Sequence, residues 1–406
     1  MKRTISKGDT GFQSVVDAFT TDRRVSCGGR KGFGSRALKV EGKIQPFRVE
    51  IPAQVIADFR DRLRATRWPS GVTDTGGVPL TDMRGVVRYV TEEFDWPAQE
   101  RALNRMPHFR ADVGGLRLHY IHSKSVNSDA TPLLLLHGWP GSVVEMLSVA
   151  PLLMASFHLV IPSLPGYGFS DSPSSAGMSN ARIAELLAAL MSVLGYDRFA
   201  VQGGDWGAGI ATWLALTCPA RVIGIHLNYI PGSYAPYVQG EPSAEEAAFL
   251  SERARWIEDS GAYGLIQRTR PLTLAYALSD SPAGLLAWIL EKFREWTDPR
   301  GAIPLDTILA NTVIYWATNT IAPSMRLYLE SGRTPLRFAR GERVVVPCGV
   351  ARFPYEAPFP PRTWIERAYN VVHWTNMPRG GHLAALEAPE LLANDVKQFF
   401  GDRAND

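Results

Sequence analysis

The run Gly203-Gly204-Asp205-Trp206-Gly207 constrains this chain more than any other stretch. Small residues on either side of a central side chain permit a sharp bend from strand to helix and leave that side chain exposed. The flanks supply both elements. Phe199-Ala200-Val201 is a short apolar run suited to a buried strand, and Ile210, Trp213, Leu214 and Leu216 follow at helical spacing. The bend reads as a nucleophile elbow. The simpler alternative is a Gly-Asp turn in which Asp205 caps the helix.

The residue at the bend sets the chemistry. Serine is the usual occupant of such an elbow and needs a neighbouring base before it can attack. An aspartate, with an ordinary pKa of about 3.9, is already anionic at neutral pH. It can displace a leaving group at saturated carbon and form an ester of its own side chain, which water can cleave. A serine making the same displacement would be left as an ether. A carboxylate elbow therefore points to epoxides or haloalkanes rather than esters.

The rest of the chain gives the bend a context. Leu133–Leu136 and His158–Ile161 are short apolar runs closed by turns, typical of strands buried on both faces. A helix is expected over Ala181–Leu194, and further strands at Val222–Ile225, Arg343–Val346 and Asn370–Val372. Alternating strands and helices predict an α/β fold with a mostly parallel, doubly wound sheet. Between about Pro231 and Arg340 the strand pattern stops, and the segment reads as a helical insertion at one end of the sheet, a lid. Upstream, Val55, Ile56, Phe59 and Leu63 mark an amphipathic helix ended by Trp68-Pro69. A second helix, with Thr81 as its N-cap, runs through Val86, Val87 and Val90. The expected division is a poorly ordered extension over 1–42, a helical segment over 43–112, core over 113–230, lid over 231–340 and core over 341–406.

Composition removes several function classes. A net charge of +3 with no basic stripe gives no case for nucleic acid. No apolar run is long enough to span a bilayer, and no signal-peptide core follows Met1-Lys2-Arg3. Cys27, Cys218 and Cys348 are far apart and lack metal-ligand spacing, which suggests reduced thiols and a soluble, cytoplasmic protein.

Three features can complete a catalytic set with Asp205. His137-Gly138-Trp139-Pro140-Gly141-Ser142 closes a buried strand with a tight turn that can present the Trp139 N–H. Together with the N–H of Trp206 it would make an oxyanion hole. His382, in Arg379-Gly380-Gly381-His382, lies beyond the last strand, in the place of a general base. His119, His122 and His373 fall on strands and suit packing better. The acid that orients His382 should follow a core strand; Glu356 fits, and Asp171 and Glu145 fit worse.

These motifs together resemble the microsomal-type epoxide hydrolases of the α/β-hydrolase superfamily, over about Ile44 to Phe400. Phe47-Arg48-Val49 and Arg67-Trp68-Pro69 resemble that branch's N-terminal segment. The resemblance implies Asp205 as nucleophile, His382 as base and Glu356 as acid. It also implies two lid tyrosines that hold and protonate the epoxide oxygen, Tyr263 and Tyr328; the other tyrosines of the region, such as Tyr229 and Tyr315, leave that pair open on sequence grounds alone. No metal or organic cofactor is implied. The expected partner is a small hydrophobic epoxide, with no membrane anchor; a homo-oligomer is compatible with the sequence. The alternative is a haloalkane or haloacid dehalogenase, which uses the same Asp–His–acid set with Trp206 as a halide donor. A non-catalytic relative would be expected to have lost a triad member, and none is missing here.

Overall fold

The computed structural model describes residues 40–71, 76–356 and 358–401. Among the described residues nine strands form one sheet. They are β1 (Val40–Phe47), β2 (His108–Val113), β3 (Leu116–Ser123), β4 (Thr131–Leu136), β5 (Phe157–Pro162), β6 (Phe199–Gly203), β7 (Val222–Leu227), β8 (Val344–Arg352) and β9 (Tyr369–Asn376). Their order is β1-β2-β3-β5-β4-β6-β7-β8-β9. The pairs β1–β2, β2–β3 and β3–β5 are antiparallel, and the remaining five are parallel.

The apolar runs explain the middle of the sheet. Successive side chains of a strand point to opposite faces. Leu133 and Leu135 therefore enter one core cluster while Leu134 and Leu136 enter the other, all four fully buried. Helices 180–193 and 205–217 cover one face, and the C-terminal helix 389–401 covers the other through Leu392, Val396, Phe399 and Phe400. With both faces covered, the central strands cannot show a polar alternation.

The polar early strands escaped the periodicity reading. β1 starts at Val40, so residues 40–42 of the expected extension are strand; residues 1–39 lie outside the described residues. The first helix spans Ala53–Arg64 and stops before Trp68-Pro69. The second begins at Leu80 after Pro79, which places Thr81 inside the first turn rather than at the cap. Cys218 is disulfide-bonded, and Cys348 is a free buried thiol. The expectation of three reduced cysteines thus does not hold at Cys218. No helix among the described residues is long and apolar enough to cross a membrane.

Between β7 and β8 the chain runs through helices 244–260, 262–269, 271–280, 282–295, 305–318 and 321–332. The N-terminal helices brace them. The Phe59 ring lies 5.6 Å from that of Trp316, the Tyr89 hydroxyl donates to Asp306 Oδ1 at 2.8 Å, and Arg294 pairs with Asp82 at 2.7 Å.

A buried polar knot ties β7 and β9 to the last helix. Asp395 accepts from His226 Nε2 and His373 Nε2, each at 2.8 Å, and from the Thr375 hydroxyl at 2.6 Å. Burial by itself would raise the Asp395 pKa, but these bonds outweigh it and hold the carboxyl at about 2. Its folded-state pKa is thus depressed, so its contribution is present above the unfolded value of about 3.9 and lost as pH falls toward about 2. Asp395→Ala should cost about 3 kcal/mol at neutral pH, because it strands buried partners. Urea unfolding of the two proteins at pH 7 checks this, and a difference under about 1 kcal/mol would contradict it.

Candidate active site

The parallel strands β4, β6, β8 and β9 each release one site loop at their carboxyl ends, where open α/β sheets bind ligands. Asp205 follows β6 and opens helix 205–217 at φ +43°. That left-handed value is uncommon for a residue with a side chain and costs on the order of 1–3 kcal/mol. Neighbouring glycines allow the bend. A Cβ on Gly207 would collide with the Leu136 carbonyl, and one on Gly138 would collide with the Asp205 carboxyl.

The turn after β4 meets Asp205 from the other side. The Trp139 N–H donates to Asp205 Oδ1 at 2.7 Å. Trp206 is the next residue, in the first helical turn, where N–H groups have no intrahelical acceptor. His137 holds this turn rather than joining the chemistry. The Leu164 N–H donates to its Nε2 at 3.2 Å, which leaves Nδ1 to donate to the Gly138 carbonyl at 3.0 Å. Burial lowers its pKa to about 4 and keeps it neutral.

His382 follows β9 and Glu356 follows β8. His382 Nε2 lies 3.6 Å from Asp205 Oδ2, and Nδ1 faces the Glu356 oxygens at 2.9 and 3.0 Å. The two loops pair directly, the Tyr355 N–H donating to the Gly380 carbonyl at 3.1 Å. Burial would lower the His382 pKa, but the adjacent carboxylates of Glu356 and Asp205 outweigh it and hold the imidazolium well above its ordinary range. The other candidates lie elsewhere. His119 bonds Ser163 and His108, His122 bonds Tyr196, His373 belongs to the Asp395 knot, and Asp171 pairs with Arg117. Glu145 is buried behind the turn, 3.4 Å from the Gly138 N–H.

Tyr263 and Tyr328 come from separate helices, 262–269 and 321–332, and meet over Asp205. Their rings are 6.1 Å apart and nearly perpendicular. Tyr263 stacks on Trp139 at 5.6 Å, while Tyr328 stands edge-on to Trp206 at 4.6 Å. Burial first, then the negative charge of Asp205 and the neighbouring phenols, push both hydroxyls well above the usual phenol range. They remain proton donors at neutral pH.

A cavity of about 590 Å³ opens in front of Asp205, walled by Trp206, Tyr263, Tyr328, Phe249, Trp256 and Trp364. A smaller one of about 60 Å³ lies between His382, Asp205, Tyr229 and Tyr263, room enough for water beside the imidazole. Among the described residues no group of three or more His, Cys, Asp or Glu could hold a metal ion.

Sequence reasoning missed the supports of His382. Its N–H donates to the Trp296 carbonyl at 3.0 Å, and Gly380 N–H donates to Asp298 Oδ2 at 2.8 Å. Glu387 accepts from the N–H groups of Asp298 and Leu383 at 2.7 and 3.0 Å. Trp296 and Asp298 follow helix 282–295, so nothing in their local pattern pointed to the loop after β9.

The chain as a whole is similar to several known proteins. The family model described as epoxide hydrolase N terminus matches residues 44–146, and that described as alpha/beta hydrolase fold matches residues 131–321. A Stigmatella aurantiaca protein named "Putative epoxide hydrolase" is 41% identical over 375 residues, covering 88% of this chain and 84% of its own. Epoxide hydrolase 1 of Oryctolagus cuniculus is 35% identical over 421 residues, covering 91% of each. Among solved structures, the Aspergillus niger epoxide hydrolase superposes with a TM-score of 0.81 at 31% identity, over 88% of this chain and 96% of that one.

Proposed function

The chain belongs to the epoxide hydrolase family of the α/β-hydrolase superfamily, and we propose that it adds water to a hydrophobic epoxide through an ester on Asp205. The observation that carries this reading is the split environment of the Asp205 carboxylate. Oδ1 is held by the Trp139 N–H, which leaves Oδ2, on the His382 side, to attack. Tyr263 and Tyr328 hold the epoxide oxygen. Oδ2 bonds to one ring carbon, the carbon–oxygen bond of the ring breaks, and the oxygen takes a phenolic proton. Ring strain drives this step, so the acid assistance need only be moderate.

The second half-reaction uses the coupling within the triad. Esterification removes the negative charge of Asp205, one of the two groups that raise the His382 pKa. The imidazolium then gives up its proton more readily, to the tyrosinate left by ring opening, and becomes a base when one is needed. It takes a proton from water in the smaller cavity, and the hydroxide attacks Asp205 Cγ. Charge collects on Oδ1, already at the Trp139 N–H, with the Trp206 N–H as its second donor. The bond from Cγ to Oδ2 breaks, the departing alkoxide takes the proton that came in with the hydroxide and leaves as the diol with Oδ2, and water oxygen stays on Asp205, a carboxylate again. The proposed scheme draws on residues of this chain alone. Residues 231–340 serve as the lid that shuts this chemistry from bulk water, and 43–112 as the brace beneath it. The aromatic wall of the larger cavity favours an apolar or aryl epoxide.

The tyrosine assignment has its own test. Tyr263→Phe and Tyr328→Phe should each slow ester formation about tenfold, and the double variant about 10³-fold. Rapid-mixing single turnovers with the protein in excess measure it. A double variant as fast as the parent would remove the tyrosines from the mechanism.

The dehalogenase alternative draws on one observation, the buried indole N–H groups of Trp139 and Trp206 that have no acceptor. Assaying the purified chain on matched epoxides and haloalkanes separates the readings. Diol from epoxides without halide release is expected; halide release without diol would reverse the order.

A further inference from the structure

Lys292 is a buried cation that the reaction scheme leaves unused. It lies near the end of helix 282–295 with 3% of its side chain exposed. Lysine is almost never so buried unless it is paired. Its Nζ contacts Glu291 Oε1 at 2.9 Å and Glu295 Oε2 at 3.2 Å. Both carboxylates are one-third exposed, so solvent could serve them without a buried partner. What buries the ammonium is aromatic. Nζ lies 4.7 Å from the centroid of the Tyr263 ring and 5.6 Å from that of Trp296. Both distances are within cation–π range. Tyr263 stacks on Trp139, and the Trp296 ring packs 4.9 Å from the His382 imidazole.

We propose that Lys292 is a positioning residue for ring opening: its ammonium, seated on the face of Tyr263, fixes that ring against Trp139 and strengthens its hydroxyl as a proton donor. This rests on Tyr263 being the donor. Two electrostatic effects point the same way. As the epoxide oxygen takes the proton, negative charge grows on the phenol, and a cation on the ring face in a dry site stabilises it. Lys292 also offsets Glu295, which lines the smaller cavity with Tyr263 and His382. Unpaired, the Glu295 carboxylate would oppose charge on the phenol, in the direction its present influence on Tyr263 already takes, as a minor addition to burial.

A double-mutant cycle with Tyr263→Phe tests this. Ester formation and ester hydrolysis are timed separately in single turnovers of styrene oxide. Lys292→Met keeps the length and removes the charge. It should slow ester formation about tenfold in the parent, the size of a desolvated cation–π contact, and less than twofold in the Tyr263→Phe background. Hydrolysis of the ester should be unchanged in both, and Lys292→Arg should recover most of the loss. Equal losses in both backgrounds, or equal slowing of both steps, would overturn the inference while leaving the tyrosine reading intact. A Tyr263→Phe protein as fast as the parent would overturn both. Should Lys292→Met not fold, Lys292→Gln keeps hydrogen bonds to the two glutamates without the charge and carries the same cycle.

Discussion

Replacing Asp205 by alanine is expected to lower diol formation by about 10⁴-fold or more, in line with the loss of the nucleophile in other covalent hydrolases. The reason is specific to the route. Without the carboxylate no ester forms, and what remains is water acting on an epoxide held by Tyr263 and Tyr328. The loss should fall on turnover rather than on binding, because the aromatic cavity wall is untouched. Nor should it come from global unfolding: alanine at φ +43°, with a mostly buried side chain lost, costs on the order of 1–3 kcal/mol, a local strain rather than the loss of the fold. A retained cooperative melting transition with retained tight binding of a diol or epoxide would separate lost chemistry from lost structure. A variant that retained more than about a tenth of the activity would mean the ester is not on the main path.

Replacing His382 by glutamine should give a different failure. The first half-reaction needs an ionised Asp205 and a tyrosine proton but no base. One equivalent of epoxide should be consumed at near the parental rate, and turnover should then stall. Steady-state activity should fall by about 10²–10⁴-fold, the usual range for removal of a general base. The intact protein should gain the mass of one substrate molecule, carried on Asp205. In the parent the same ester should clear faster as pH rises, because the imidazole must be neutral to accept a proton. Glu356 and Asp205 both favour its protonated form in the resting protein, and in the ester only the Glu356 charge still does, so less alkali is needed to free the base. Slow ester formation in His382→Gln, with no accumulated adduct, would contradict this division of labour.

The sequence was most legible where one local pattern had one physical cause. The five-residue elbow announced Asp205, because only a bend between strand and helix needs small residues on both sides of one reactive group. The apolar runs of β4 and β5 announced strands because they are buried on both faces. His382 and Glu356 followed from their places after the last two strands. Other features had no local signature. β1 and β2 carry Glu41, Lys43, Arg110 and Asp112, so no clean alternation marks them. Thr81 looked like a cap, yet Pro79 already fixes the entry to its helix. Tyr263 and Tyr328 lie on different helices and were singled out only through the family resemblance. Lys292 has no local mark of burial: Trp296 caps its own helix four residues on, but the Tyr263 ring comes from helix 262–269. Asp298 and Glu387, which support the His382 loop, meet across 89 positions of sequence, a relation only the folded chain displays.

The most direct test follows one oxygen atom through a single turnover. The chain, in excess over an epoxide, is mixed in water enriched in heavy oxygen, and both product and protein are weighed by mass spectrometry. If Oδ2 of Asp205 opens the ring, the first diol carries an ordinary oxygen taken from the protein, and the label appears in the peptide that contains Asp205. If the first diol already carries the label and that peptide does not, water opened the ring unaided and Asp205 is no nucleophile.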